Sequence, residues 1–411
     1  MNNRINTKDV VYREDLYPRI NPDPVKIQQY SESIELLPPI EVSQDNILID
    51  GYHRWKAHET AGVCEIPVIV TPVESEAELL RLAVERNATH GLQLSQKEKR
   101  KYALRWWDII HEEEICRTLS ISPKLFREWT RDRQRQKDEE IRQQIFDMWL
   151  SCHTQEEIAQ AVGVAQQTVS DRIADFTKND GNSDIGNFSN FSPELYSVWN
   201  FGKATNEVRH FGNIPPEIIE NLLYYYTRPF DVVFDPFGGG GSTIDKCRER
   251  KRRYYVSDLT PIPARDREIR KQDITQGLPA DLPVPDLVFL DPPYWRQAEG
   301  KYSALETDLA NVSLDQFLET IGNIARDVKR KWSSRKAGTL ALIIGPWKQD
   351  GQYVDLAFLC YERIAKYLDL KHRVIVPYST QIHGGAFVQM AKEKKEILYL
   401  HRDLMIFGYG A

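Results

Sequence analysis

Four short apolar runs mark the C-terminal half of the chain: "DVVFD" from Asp231, "RRYYVSDL" from Arg252, "PDLVFLD" from Pro285 and "GTLALIIG" from Gly338. They lack strict apolar–polar alternation and are separated by segments of helical period. Such runs predict strands buried on both faces, and strands alternating with helices predict a parallel α/β sheet covered by helices on both sides. The closing segment "VPYSTQIHGGAFVQMAKEKKEILYLHRDLMIF" predicts the last strands of this sheet, with "HGG" (His383 to Gly385) as a hairpin turn. The N-terminal half is patterned differently. "PPIEVSQDNILIDGYHRWKAHETAGVCEIPVIV" alternates, breaks at Asp-Gly, takes up a helical period and ends in a further strand, the pattern of a small α+β unit.

These shifts predict an α+β domain over 8–91, a helical region over 92–178, a polar Gly/Asn/Ser linker over 179–190 and an α/β domain over 191–411. Within the helical region, "TQEEIAQAVGVAQQTVSDRI" (Thr154 to Ile173) fits a helix-turn-helix. Ile158 and Ala159 face inward on its first helix, Gly163 makes the turn, and Val169 and Ile173 are buried on the second. Gln166, Gln167, Thr168, Ser170 and Arg172 then face a DNA groove, with side chains suited to base edges and phosphates. "EEICRTLSISPKLFREWTR" (Glu113 to Arg131) reads as an earlier copy without the glycine. A structural helix pair is the alternative for either copy.

Composition narrows the class. A chain of 411 residues allows roughly two to three domains, and its 41% hydrophobic content is ordinary for a globular protein. No apolar run approaches the ~20 residues of a membrane span, and the N-terminal stretch lacks a signal-peptide core, so a cytoplasmic protein without a membrane partner is expected. Five widely spaced cysteines without C-x-x-C argue against a disulfide framework and a zinc site, and are expected as buried thiols. No metal is expected. The 54 basic and 60 acidic residues give a net charge of −6, against a uniformly basic surface. Basic clusters such as "KCRERKRR" (Lys246 to Arg253) offer local phosphate-facing surfaces or, more simply, solvated helix faces. Oligomeric state has no signal in the sequence.

The chemistry concentrates after the first strand of the α/β domain. In "DVVFDPFGGGGST" four glycines follow a strand, where an open parallel sheet binds ligands and a bare backbone permits close approach. A phosphate loop is disfavoured, because no lysine stands between the glycines and Ser242. The second strand ends in Asp258, placed to accept both hydroxyls of a ribose. Asp273 follows in "KQDITQGLP". The third strand ends in Asp291-Pro292-Pro293-Tyr294, where two prolines stop the ladder and project the carboxylate off the sheet edge.

In these motifs the chain resembles the amino-group DNA methyltransferases that use S-adenosylmethionine, over about residues 190–411. The resemblance implies a Rossmann-like class I methyltransferase sheet. It implies S-adenosylmethionine held by Asp235, Pro236, Phe237, Gly238, Gly239, Gly240, Asp258 and Asp273, with the helix in "NIPPEIIENLLYYYTRP" (Asn213 to Pro229) over the methionine end. It implies Asp291, Pro292, Pro293 and Tyr294 as the catalytic motif. An exocyclic amino nitrogen is a poor nucleophile because its lone pair is delocalised. The Asp291 carboxylate and the Pro292 carbonyl are two acceptors for its hydrogens, and Tyr294, with Trp295, offers a stacking face for a base taken out of the duplex. Asp before Pro-Pro-Tyr tips the resemblance toward N6-adenine in double-stranded DNA; N4-cytosine is the enzymatic alternative. A DNA-binding regulator carrying a relic methyltransferase domain is the alternative from another class.

"DGYHRWKAHETAG" (Asp50 to Gly62) resembles the ParB and sulfiredoxin superfamily, in which a Gly-x-x-Arg turn at a helix start binds nucleotide phosphates. Gly51, His53 and Arg54 match that turn; Tyr52 replaces the sulfiredoxin cysteine. The resemblance implies a nucleotide site or, alternatively, a retained scaffold in which His53 and Arg54 make structural hydrogen bonds.

Overall fold

A computed structural model describes residues 3–16, 23–89, 94–180, 188–202, 214–265, 267–296, 303, 305–334, 337–349, 352–378 and 384–410. The chain divides into two compact units, 1–140 and 141–411.

In the first unit, strands β1 (Asn3–Asn6), β2 (Ile40–Val42), β3 (Leu48–Asp50) and β4 (Glu65–Val70) form a sheet in the order β1-β4-β2-β3, parallel only between β2 and β4. Ile40, Val42, Leu48, Ile66 and Val68 bury against Trp55 of α2 (Tyr52–Thr60); α1 is Pro24–Ser31. Gly51 opens α2 at φ +102°, and a Cβ there would stand 2.7 Å from Ile40 Cγ2, so the turn requires glycine twice over. Helices α3 (Glu76–Thr89), α4 (Gln96–Trp106) and α5 (Glu112–Leu119) gather a second core around Tyr102, Trp106 and Ile115. Where the earlier helix pair lacks a glycine, Ser120 takes the left-handed conformation itself at φ 49°. Helix α6 (Pro123–Leu150) then runs across the division at 140/141. The expected linker at 179–190 lies largely outside the described residues.

In the second unit, α7 (Gln155–Val162) starts with a reciprocal capping box between Thr154 and Glu157 and stops at Gly163, φ 73°. With α8 (Gln166–Asp180) it buries Ile158, Val169 and Phe176 against Ile145 and Trp149 of α6. Trp149 packs on Phe230 with ring centroids 4.9 Å apart, and its carbonyl accepts from Arg253 Nε at 3.2 Å. Arg270 donates to the Ser151 carbonyl at 3.1 Å, and Cys152 joins the core of the large sheet.

That sheet follows α9 (Pro216–Tyr226). Its strands are β5 (Val232–Asp235), β6 (Arg253–Asp258), β7 (Arg270–Lys271), β8 (Leu287–Leu290), β9 (Gly338–Ile344), β12 (Asp369–Pro377) and β13 (His401–Tyr409), with the small hairpin β10 (Trp347–Gln349) and β11 (Gln352–Val354) outside it. The order is β12-β13-β9-β8-β5-β6-β7, parallel from β9 to β7, with β13 antiparallel to both neighbours. Alternate residues serve opposite faces. Phe234, Val288, Leu342 and Ile344 meet α11 (Leu314–Trp332) and α12 (Leu356–Ile364), whereas Val233, Phe289, Ala341 and Ile343 meet α9 and α10 (Ser242–Glu249). Both faces are apolar, which is why the runs lack polar alternation. On the outer side of β12, Trp199 N–H donates to the Ile375 carbonyl at 2.9 Å and Ile375 N–H to the Ser197 carbonyl at 2.8 Å.

Three expectations are corrected. Gly385 begins a helix, α13 (Gly385–Lys394), with Gly384 as its cap, so a helix rather than a hairpin turn joins β12 to β13; His383 lies outside the described residues. Cys64 is exposed, in the turn between α2 and β4, while Cys116, Cys152, Cys247 and Cys360 are buried. The cluster Lys246 to Arg253 turns inward at two positions. Arg252 is fully buried, donating to the Thr227 hydroxyl at 2.9 Å and carbonyl at 2.8 Å, and buried Arg250 pairs with buried Glu220.

Candidate active site

Strands β5, β6 and β8 end at the same edge of the sheet because they are parallel, and their C-terminal loops enclose a cavity of about 290 Å³. Asp235 to Gly240, Asp258, Asp273, Asp291 and Pro293 all line it. Ile214 and Ile219, from the segment expected to cover the cofactor, close one side, and Phe289 and Leu309 add apolar wall.

The glycine loop is held from both ends. Asp235 is buried, and its carboxylate accepts from Thr243 Oγ1 at 2.6 Å and from the Phe237 N–H at 2.9 Å, so it shapes the loop from within. Burial pushes its pKa up to about 7, opposed by those two donors. At Gly238 a Cβ would lie 2.6 Å from Val256 Cγ1, and Gly239 and Gly241 have φ 47° and 86°. Bare backbone is therefore needed for packing and for chain direction. Gly239 N–H reaches across to Asp258 Oδ2 at 3.0 Å, and Asp258 Oδ1 accepts from Thr260 N–H at 2.9 Å. A carboxylate has about four acceptor positions, which leaves capacity for ligand hydroxyls. Asp273 uses Oδ1 to cap a short turn, accepting from Thr275 N–H at 3.0 Å and Oγ1 at 2.6 Å.

Asp291 stands at the end of β8, half-buried, and accepts no hydrogen bond among the described residues. Desolvation pushes its pKa up to about 7, Arg402 opposes the shift and Asp235 adds to it. Pro292 is buried and, like Tyr294, does not line the cavity; Tyr294 packs on the core beneath it. Trp295 cannot offer a stacking face: it is buried, with Nε1 donating to the Val312 carbonyl at 2.9 Å. The following residue, Arg296, sits at φ 60°, an uncommon conformation beside the motif. Two contributors escaped the sequence reading. Arg402, the second residue of β13, bears electrostatically on Asp291 and Tyr294, and the Thr307-Asp308-Leu309 segment lines the cavity. Neither belongs to a motif.

The other candidates lie elsewhere. Gln166 and Gln167 are exposed at the start of α8, with Gln167 bonded to Asp171 at 2.8 Å, and Thr168, Ser170 and Arg172 are half-buried along the same helix. In the first unit, Arg54 is committed to Asp50 at 2.7 Å and to the Pro38 and Pro39 carbonyls at 3.2 and 2.5 Å. His53 Nε2 accepts from Asp23 N–H at 3.0 Å. No group of three or more potential metal ligands occurs among the described residues, and none of their helices is long and apolar enough to cross a membrane.

Comparison with known proteins matches residues 87–261 to the family described as DNA methylase, N6_N4_Mtase; the interval holds the glycine loop and Asp258 and ends before Asp291. The type II methyltransferase M.XycI of Xanthomonas campestris pv. cyanopsidis is 37% identical over 65 residues, 16% of this chain and 22% of that protein. The type II methyltransferase M.Cfr9I of Citrobacter freundii is 33% identical over 78 residues, 19% and 25% of the two chains. The chain thus spans a quarter or less of the length of these relatives. Among solved structures, the chromosome-partitioning protein ParB of Caulobacter crescentus bound to parS aligns at TM-score 0.22 with 20% identity, over 31% of this chain and 70% of that one. A TehB-like SAM-dependent methyltransferase of Corynebacterium glutamicum aligns at 0.28 with 14% identity, over 46% and 85%. Residues 87–261 thus match the N6/N4 DNA methylase family model, and the glycine loop of the cavity falls inside that interval.

Proposed function

We propose that the protein is a DNA methyltransferase that uses S-adenosylmethionine to methylate the exocyclic amino group of adenine at N6. The observation that carries this reading is the single cavity lined jointly by the glycine loop, Asp258, Asp291 and Pro293. The residues fit the cofactor. Gly238, Gly239 and Gly240 put backbone without side chains on the cavity wall, the spare acceptor capacity of Asp258 suits ribose hydroxyls, and Ile214, Ile219 and Phe289 supply apolar wall. When bound, S-adenosylmethionine would supply an electrophilic methyl group. The chain's task is to present the amino nitrogen: the Asp291 carboxylate at the cavity wall accepts one of its hydrogen bonds and draws lone-pair density back to nitrogen, and the Pro292 carbonyl, behind that wall in this structure, is the second acceptor the motif implies. We read the seven-stranded sheet, with its antiparallel β13, as the Rossmann-like class I methyltransferase form.

The two-acceptor site serves the amino group of cytosine equally well, so N4-cytosine is the second reading. We assign DNA contacts to Gln166, Gln167, Thr168, Ser170 and Arg172, and read the first unit as a ParB-like accessory domain. There the internal bonds of His53 and Arg54 favour a scaffold over a nucleotide site. Single-molecule sequencing of DNA from cells expressing the chain tests the proposal, because it reports the modified base and its motif. N6-methyladenine at a defined site is expected, N4-methylcytosine selects the second reading, and unmodified DNA overturns both.

A further inference from the structure

Of the glycines that follow β5, Gly238, Gly239 and Gly240 line the cavity and Gly241 does not. Gly241 is approached from the other side. It caps α10 at φ 86°, and a Cβ there would stand 3.3 Å from both Cζ and Nε of Arg265. Arg265 is only 8% exposed, a costly place for a guanidinium unless carboxylates and hydrogen bonds compensate it. They do. Nη2 meets the two oxygens of Asp245, in the first turn of α10, at 2.8 and 2.9 Å, and Nη1 donates to Glu268 Oε2 at 2.9 Å. The Arg265 carbonyl accepts from the N–H groups of Glu268 and Ile269 at 3.0 and 2.9 Å. Ile269 in turn reaches the start of the loop, where a Cβ on Gly238 would lie 3.1 Å from Ile269 Cγ2. Arg265 and Ile269 thus press on the glycine loop at its last and its first glycine. The residues just ahead of Arg265, from Leu259 to Pro263, form another part of the cavity wall.

We propose that Arg265 is a positioning residue for the cofactor: its guanidinium fork, closed on Asp245 and Glu268, fixes the Leu259–Pro263 wall at one distance from the glycine loop. The proposal rests on the cofactor half of the methyltransferase reading. In that reading the ribose is held after β6, at Asp258, and the amino group that accepts the methyl is held after β8, at Asp291. The sheet order β8-β5-β6-β7 then directs the sulfonium toward β8, over the glycine loop, and the adenine toward β7, against Leu259–Pro263, Gln272 and Asp273. The two ends of one molecule rest on two separate segments, and the linkage between them adds affinity only while those segments keep their spacing. Arg265 does not line the cavity; it holds together the segments that do.

The test compares, on the full chain, S-adenosylhomocysteine, which spans both segments, with methylthioadenosine, which lacks the amino-acid end. Calorimetry measures the first and ligand-observed NMR the second. Arg265→Gln keeps most of the bulk and removes the charged fork. It should weaken S-adenosylhomocysteine about tenfold or more and change methylthioadenosine by no more than about twofold. Equal weakening of the two ligands, the signature of a merely structural role, overturns the proposal, as does a folded variant that weakens neither. If the glutamine variant shows no cooperative melt, Asp245→Ala decides. It removes the fork's partner on α10 from a partly exposed position that does not line the cavity. The same selective loss is expected, at about fivefold or more; unchanged or evenly weakened ligands overturn the proposal. A wild-type chain that binds neither ligand fails the cofactor reading itself, and is recognised before any variant is compared.

Discussion

Gly239 and Asp258 are joined by a 3.0 Å hydrogen bond that ties the glycine loop after β5 to the carboxylate ending β6. The same carboxylate that is proposed to receive the ribose also fixes the loop beneath the cofactor. Asp258→Ala should therefore weaken S-adenosylmethionine binding by more than the loss of a ligand contact alone, on the order of 2–4 kcal/mol, or about thirtyfold and upward. Asp258→Asn, which keeps one acceptor, should lose less. Calorimetry on the two variants measures the difference, and equal losses would count against the double role.

Asp291→Ala should abolish methyl transfer while cofactor binding survives, because this carboxylate ties down no part of the glycine loop. A lost transition-state acceptor typically costs about a hundredfold or more in rate. A tritiated-methyl assay beside calorimetry separates the two effects; near wild-type turnover would remove Asp291 from the mechanism.

Asp235 links the loop to pH. Its folded pKa, about 7, lies above the ordinary value of 3.8, so its contribution to stability is fully present below about pH 4 and is lost as pH rises through 7. Asp235→Asn keeps an acceptor for Phe237 N–H and removes the buried charge. Its melting temperature should fall less than that of wild type between pH 4 and 8, by an amount worth on the order of a few kcal/mol at the upper end. Asp291, shifted in the same direction, leaves a residual slope. Parallel melting curves for the two proteins across this range would refute the assignment.

Gln166→Ala with Gln167→Ala should relax sequence preference by ~1–3 kcal/mol per lost bidentate base contact and leave cofactor affinity unchanged. Methylation of target and scrambled duplexes at matched salt gives the measurement. An unaltered ratio would move target reading elsewhere in the chain.

The docking of α6 on the sheet bears on where the sheet-bearing unit begins. A fragment of residues 141–411 keeps Trp149 against Phe230 and the carbonyl partners of Arg253 and Arg270, whereas 191–411 loses all three. The shorter fragment should be less stable by about 3 kcal/mol or more, given the apolar surface uncovered. Thermal melts of both fragments test this; equal melting temperatures would show the docking to be energetically idle.

The central strands and the loop between β5 and α10 were legible in the sequence because their signals are local: an unbroken apolar run, then glycines that no side chain could replace. The three carboxylates after β5, β6 and β8 converge for the same reason, since parallel strands end at one edge. Arg402 was not legible. It is one of 54 basic residues, and its place at this end of the sheet depends on β13 inserting between β9 and β12, a pairing that no local pattern encodes. Arg250 and Arg252 misled for the complementary reason. A run of like charges reads as solvent-facing until Glu220 and Thr227 are seen to meet it. The helix after Gly384 was hidden by a glycine pair that suits a turn and a helix cap alike.

The two hydrogen bonds between the Ser197–Trp199 segment and Ile375 have a further consequence. β12 is the outermost strand on its side, and an open strand of nine residues offers unpaired amides to any other extended chain, a route to sheet-to-sheet aggregation. The segment ahead of the large sheet occupies that row near its C-terminal end. Shortening the protein past Trp199 would therefore do more than trim a tail: it would uncover a template for self-association, and colloidal solubility would be lost before the cofactor cavity was disturbed.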